Sequence, residues 1–167
     1  MSLYSFFKNK KVLVTGHTGF KGSWLVTWLN ILGCKVLGIS LDPDKGDNHF
    51  KILKKNLEIR DKRGDIRNEK YLKKLIKQFK PDIVFHLAAQ AIVSTSYTHP
   101  KLTFETNVLG TFNLLSALAE LKYKCIAIFI TSDKCYKNIE VTRGYTETDE
   151  LGGDDFYSSS KASAELV

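Results

Sequence analysis

Short apolar runs rich in β-branched residues alternate along the chain with longer stretches whose apolar positions recur at helical spacing, which predicts β-strands linked by helices. KVLVT, Lys11 to Thr15, reads as a buried strand. A glycine turn follows, then a helix from about Lys21 to Leu32 in which Trp24, Leu25, Trp28, Leu29 and Leu32 share helical spacing. CKVLGIS, Cys34 to Ser40, predicts the second strand, and a weaker one is expected near Leu57 to Arg63. A helix from about Asn68 to Phe79 stops before Pro81, because the residue preceding a proline avoids the α region. DIVFHLA and CIAIFIT predict two further strands, separated by a helix from about Pro100 to Leu121. Parallel strands joined by helices require both sheet faces to be covered, which places a ligand crevice beyond the carboxyl ends of the strands.

The fold expected is therefore α/β, a Rossmann-type parallel sheet flanked by helices, with residues 1–167 forming one dinucleotide-binding domain. YSSSKASAELV, Tyr157 to Val167, starts like a helix and meets the chain terminus without a cap or a following strand. Sheets wound this way continue, so the chain is expected to be the amino-terminal part of a longer protein, truncated before a carboxyl-terminal substrate-binding region.

With 43% hydrophobic residues, 167 positions supply one core rather than two. The formal charge of +7 is spread through segments such as KILKK and EKYLKKLIKQFK that read as helices with solvated faces. A dispersed excess favours anionic metabolites over nucleic acid as partner. Cys34, Cys125 and Cys135 show no metal-ligand spacing, MSLYSFFKNKK lacks the features of a signal peptide, and no apolar run approaches the ~20 residues of a membrane span. The expectation is a cytoplasmic protein with reduced thiols, no metal, no nucleic-acid partner and no membrane partner.

Gly16, Gly19 and Gly22 in TGHTGFKG form GxxGxxG between the first strand and the first long helix. Glycine there lets backbone N–H groups and the positive helix end reach a pyrophosphate with no Cβ in the way. His17 and Lys21, in the same loop, read as solvated turn residues. The second strand ends at Ser40 rather than at an acid, with Asp42 and Asp44 the nearest carboxylates. No arginine stands at that point in the sequence to attract a 2′-phosphate, which favours NAD over NADP. Asp65 in RGDIR reads either as an adenine contact or as a helix N-cap. His86, inside its strand, reads as a hydrogen-bonded core histidine. Tyr157 and Lys161, four apart, share a helix face, where a neighbouring ammonium would help a phenol to take a proton from an alcohol.

GHTGFKG, HLAAQ, TNVLGT, TSDKCY and LGGDDFYSSSKA, in this order, resemble the extended short-chain dehydrogenase/reductase superfamily across almost the whole chain. More narrowly they resemble the CDP-glucose branch of the nucleotide-sugar 4,6-dehydratases. The resemblance implies a Rossmann domain that holds NAD, a nucleotide-sugar substrate (CDP-glucose) and a homo-oligomer when full length. It places Gly16, Gly19, Phe20 and Gly22 at the pyrophosphate, Asp65 and Ile66 at the adenine, and Leu87, Ala88, Ala89 and Gln90 along the cofactor. Ser40 occupies the point where many relatives carry the ribose acid, with Asp42 as substitute. The family's tyrosine and lysine map onto Tyr157 and Lys161, its strand-end hydroxyl onto Ser132, and its acid onto Asp133, while Asn107 supports the lysine through solvent. In the related dTDP-glucose dehydratases a glutamate stands where Lys134 is found here, a departure shared with the CDP-glucose branch.

The reaction so implied is oxidation at C4, loss of water across C5 and C6, and return of hydride to C6. Tyr157 would take the C4 hydroxyl proton, Lys134 the C5 proton, and Asp133 would protonate the departing C6 hydroxyl. For Lys134 to act as a base its pKa must fall, by desolvation or by nearby positive charge such as Lys161. Two alternatives stand beside this reading: a non-catalytic cofactor-binding fragment, and an epimerase or reductase of the same superfamily, which would lack the Asp133 and Lys134 pair. The 167-residue chain alone is expected to be inactive.

Overall fold

A computed structural model describes residues 2–43, 45–46 and 48–167. Five strands, β1 (Lys11–Thr15), β2 (Lys35–Ser40), β3 (Ile59–Arg63), β4 (Ile83–His86) and β5 (Ile126–Phe129), form one sheet in the order β3-β2-β1-β4-β5. All four pairings are parallel. This is the strand order expected of a Rossmann half, with β1 in the middle and the chain winding away from it in both directions.

The three central strands, β1, β2 and β4, are buried on both faces, so adjacent residues serve different layers. Leu13, Leu37, Ile39 and Val84 pack with Leu72, Leu75, Ile76 and Phe79 of α4 (Glu69–Phe79) and Leu114 and Ala117 of α7 (Gly110–Ala119). Val12, Val14, Val36 and Ile83 pack on the other face with Val26 and Leu29 of α2 (Phe20–Ile31). Three short helices have no counterpart in the expectation: α1 (Leu3–Phe7), α3 (His49–Leu53) and α5 (Val93–Thr98). Each has five or six residues, too few for a periodic signal.

The single helix expected from Pro100 to Leu121 is composite. α6 (Pro100–Phe104) leads into a π-helical turn at Glu105–Leu109 and then into α7, which ends at Ala119. A π turn leaves the apolar periodicity almost intact and is invisible in it. The last element, α8 (Phe156–Leu166), is capped by Asp155, whose side chain accepts from Ser158 N.

Candidate active site

The exits of all five strands converge on a cavity of about 560 Å³, lined by the Gly16–Gly22 loop, Ser40, Asp65, the Leu87–Ala91 segment, Thr131, Tyr157 and Lys161 among others. It opens at the carboxyl edge of the sheet, where β1 separates the two winding directions.

The three glycines of the loop serve different ends. Gly16 has φ +73°, its N–H donates to Ile39 O at 2.8 Å, and a Cβ on it would lie 2.7 Å from Ala88 N. A Cβ on Gly22 would lie 2.2 Å from Gly16 O. Those two positions are dictated by backbone packing within the fold. Gly19 begins α2 with no side-chain cap, and a Cβ there would meet only Gly16 O at 3.3 Å. The first turn of α2, which borders the cavity, thus has neither a side-chain cap nor an acidic residue, the arrangement an anion needs. Lys21 and Arg67 add positive charge to the lining.

His17 contradicts the reading as a solvated turn residue: it is fully buried, with Nε2 2.9 Å from Asp61 Oδ1 and its ring against Phe50. Gly38 makes the room, since a Cβ there would sit 2.4 Å from the ring. Burial lowers the His17 pKa, against the pull of Asp61. Lys21 is exposed and lines the cavity.

Around the expected ribose position, Ser40 Oγ lies 2.7 Å from Thr18 Oγ1, and both residues line the cavity. Asp42 does not; its side chain is 87% exposed and paired with Arg63 Nε at 3.2 Å. The sequence reading that no arginine stands here is also corrected. Parallel pairing of β2 with β3 sets Arg63 opposite Ser40, although its guanidinium is engaged by Asp61 at 2.8 Å as well as by Asp42. Asp44 lies outside the described residues.

Asp65 lines the cavity and is not the N-cap of α4; Asn68 is, accepting from Tyr71 N at 3.0 Å. The Asp65 carboxylate instead accepts from Arg67 N, Nε and Nη2, and hydrogen bonding to that guanidinium holds its pKa below the usual range. Ile66 lines the cavity beside it.

Beneath the Leu87–Ala91 segment runs a buried polar chain that sequence reasoning missed. Ala88 N–H donates to Thr15 Oγ1, and Thr111 Oγ1 donates to Asn107 O. The single hydroxyl proton of each threonine then assigns the rest: Thr15 donates to His86 Nδ1 (2.7 Å), and His86 Nε2–H donates to Thr111 (3.1 Å). Burial, then the Lys161 charge, lower the His86 pKa to about 3, so the ring is neutral as this chain requires. Two threonines 96 positions apart carry no joint signal in sequence.

Asn107, in the π turn, bonds directly to Gln90 N (2.8 Å), Gln90 O (3.1 Å) and Ser160 Oγ (2.9 Å). Asn107 thus ties α8 directly to the Gln90 segment. Gln90 is held further by Thr103 Oγ1 and Ile92.

Tyr157 and Lys161 are 8% and 6% exposed, share one face of α8 and both line the cavity, with Lys161 Nζ 6.0 Å from the Tyr157 ring centroid. Burial, then the charge of Lys21, lower the Lys161 pKa. Ser132, Asp133 and Lys134 stand just past β5 and outside the cavity lining, where Thr131 is found instead. Lys134 Nζ lies 3.2 Å from Asp133 Oδ2, with side chains 59% and 75% exposed. Hydrogen bonding to Lys134 lowers the Asp133 pKa. The desolvation that a basic Lys134 needs is absent among the described residues.

A family model described as GDP-mannose 4,6 dehydratase matches residues 13–167. The CDP-glucose 4,6-dehydratase of Salmonella typhimurium is 47% identical over 98% of this chain and 45% of its own length. The CDP-paratose 2-epimerase of Salmonella typhi is 37% identical over 83% of this chain and 41% of its own. Among solved structures, the dTDP-glucose 4,6-dehydratase of Bacillus anthracis in complex with NAD superposes with a TM-score of 0.76 at 28% identity, covering 94% of this chain and 48% of the other. The chain spans about half the length of the curated relatives it matches.

Proposed function

The chain belongs to the GDP-mannose 4,6 dehydratase family, and on that premise we propose that it is the cofactor-binding part of an NAD-dependent lyase converting CDP-glucose to CDP-4-keto-6-deoxyglucose. One observation carries the reading: the buried Tyr157 and Lys161 share a cavity with a glycine loop that presents free helix N–H groups. The cavity's size, its uncapped helix start and its cations fit a dinucleotide. In this reading the first N–H groups of α2 and Lys21 hold the pyrophosphate, Asp65 and Ile66 border the adenine, and Ser40 meets the ribose. NAD, when bound, supplies the acceptor that takes hydride from C4 and gives it back at C6.

The chain's own residues handle the protons. Tyr157 takes the proton of the C4 hydroxyl, and the Lys161 ammonium, held by α8, stabilises the phenolate that results. Ser132 orients the C4 oxygen. The C4 ketone acidifies C5–H, Lys134 accepts that proton, and Asp133 delivers one to the leaving C6 hydroxyl. Asp133 and Lys134 are an exposed ion pair 3.2 Å apart, so in this reading the reactive form is the neutral pair: as a bound sugar excludes water, the Lys134 proton passes to Asp133, which then has one to deliver while Lys134 is free to accept one. The pair favours dehydration over epimerisation, which needs neither acid nor base at C5 and C6. The 167 residues alone turn over no sugar, and the full-length protein works in the cytoplasm as a homo-oligomer.

The test uses the full-length protein with CDP-glucose. Tyr157→Phe removes the proton acceptor and should show neither cofactor reduction nor product, whereas Lys134→Met should oxidise C4 and fail to lose water. Normal dehydration by Lys134→Met returns Lys134 to a solvated surface charge. Normal turnover by Tyr157→Phe overturns the reading itself.

A further inference from the structure

We propose that Glu165 is a positioning residue, the side chain that holds the Ser132–Lys134 turn in place beside Tyr157 and Lys161 so that loss of water can follow oxidation at C4; its role rests on the reaction read above. Tyr157, Lys161 and Glu165 are spaced four apart in α8 and so run down one side of it. The first two are buried and line the cavity. Glu165, one turn later, meets the exit of β5 instead: Thr131 Oγ1 donates to its Oε1 across 2.5 Å.

The turn depends on that contact because its own side chains bond only within it. Ser132 Oγ donates to Asp133 Oδ1 at 3.1 Å and accepts from Lys134 N at 3.2 Å, and Lys134 Nζ pairs with Asp133 Oδ2. The residues on either side make the connection to α8. Thr131 precedes the turn, and Cys135 follows it, 2% exposed, with its thiol against the same carboxylate. Burial, then the Glu165 charge, push the Cys135 pKa up. Gly152 N–H donates to Cys135 O at 2.9 Å and ties the far side of the turn to the segment before α8, which leaves the strand-exit side to Glu165.

Water loss needs Asp133 and Lys134 at C6 and C5 of a sugar whose C4 is at Tyr157, with reacting atoms about 3–3.5 Å apart. Tyr157 and Lys161 are fixed by burial in α8, whereas Asp133 and Lys134 are 75% and 59% exposed and have no packing of their own to fix them. Releasing the turn therefore slows water loss far more than oxidation at C4.

The test uses the full-length protein. In Glu165→Ala, Cys135 should be alkylated by iodoacetamide at least ten-fold faster, read by peptide mass. Water loss from CDP-glucose should slow at least ten-fold while oxidation at C4 persists, so that reduced cofactor accumulates during turnover. Glu165→Gln keeps an acceptor for Thr131 and should label and turn over like the parent. Thr131→Val should repeat the effects of Glu165→Ala, with the double variant no worse than either single one, and it supplies the measurement if Glu165→Ala fails to fold. Cys135 labelled at the parent's rate in Glu165→Ala and Thr131→Val overturns the proposal, and so does equal slowing of oxidation and water loss. A parent that loses no water from CDP-glucose overturns the reaction read above and with it the step given to Glu165, while faster Cys135 labelling in the two variants still supports the tie itself.

Discussion

His86 Nε2 donates to Thr111 Oγ1 across 3.1 Å, joining the central sheet to α7 directly beneath the segment that lines the cavity. On the other side of the ring Nδ1 accepts from Thr15 Oγ1 at 2.7 Å, which needs a neutral ring, and the pH dependence of stability follows from that. In the unfolded chain the imidazole titrates near 6.5, in the fold near 3, so the contribution is complete above pH 6.5 and is lost as pH falls toward 3. The expected loss is about 2 kcal/mol between pH 7 and pH 5, with His17, whose pKa is lowered too, adding in the same sense. Urea midpoints measured over this range should fall, and His86→Leu should flatten the profile. An equally steep profile in that variant would show that His86 does not titrate as assigned.

Lys161 is buried and has no ion-pair partner among the described residues, so the fold carries an uncompensated ammonium. Lys161→Met keeps the length of the side chain and removes the charge. The variant should gain about 1–3 kcal/mol of stability, read as a higher thermal midpoint. In the full-length protein the same change should remove the dehydration proposed above, the trade expected where a site keeps a destabilising group for its chemistry.

The glycine loop separates binding from folding. Gly19 has an ordinary φ of −71°, and a Cβ there would be tight only against Gly16 O at 3.3 Å, so Gly19→Val should keep the fold at a small cost in stability and bind NAD at least ten-fold more weakly by calorimetry. Gly22→Ala drives a methyl against Gly16 O and should lose stability before any effect on binding can be read. Equal NAD affinity in Gly19→Val would remove the loop from the cofactor site.

Gly38→Ala tests the burial of His17. The added methyl would stand 2.4 Å from the imidazole, which has Phe50 on one side and Asp61 at its Nε2, so the ring has little room to give way. A cost of about 1–3 kcal/mol is expected from overpacking. A variant as stable as the parent in denaturant titration would mean that the ring moves out to solvent.

The sheet, its parallel sense and the position of the cavity were determined by local signals. KVLVT, CKVLGIS, DIVFHLA and CIAIFIT are dense in β-branched residues, the stretches between them are helical, and right-handed crossovers leave one arrangement for such a chain. GxxGxxG after the first strand and the Tyr157–Lys161 spacing were equally local, and the structure brings both to one cavity. What the tertiary structure decided depends on distance in sequence. His17 looked solvated because nothing near it announces Asp61 or the missing Cβ of Gly38, which only strand pairing brings to it. Arg63 faces Ser40 through the register of β2 with β3. Asn107 meets Ser160 because a π turn rotates it inward, and such a turn leaves hydrophobic spacing almost unchanged. Periodicity records which face of an element is apolar; it holds no information on which polar atoms meet once those faces are packed.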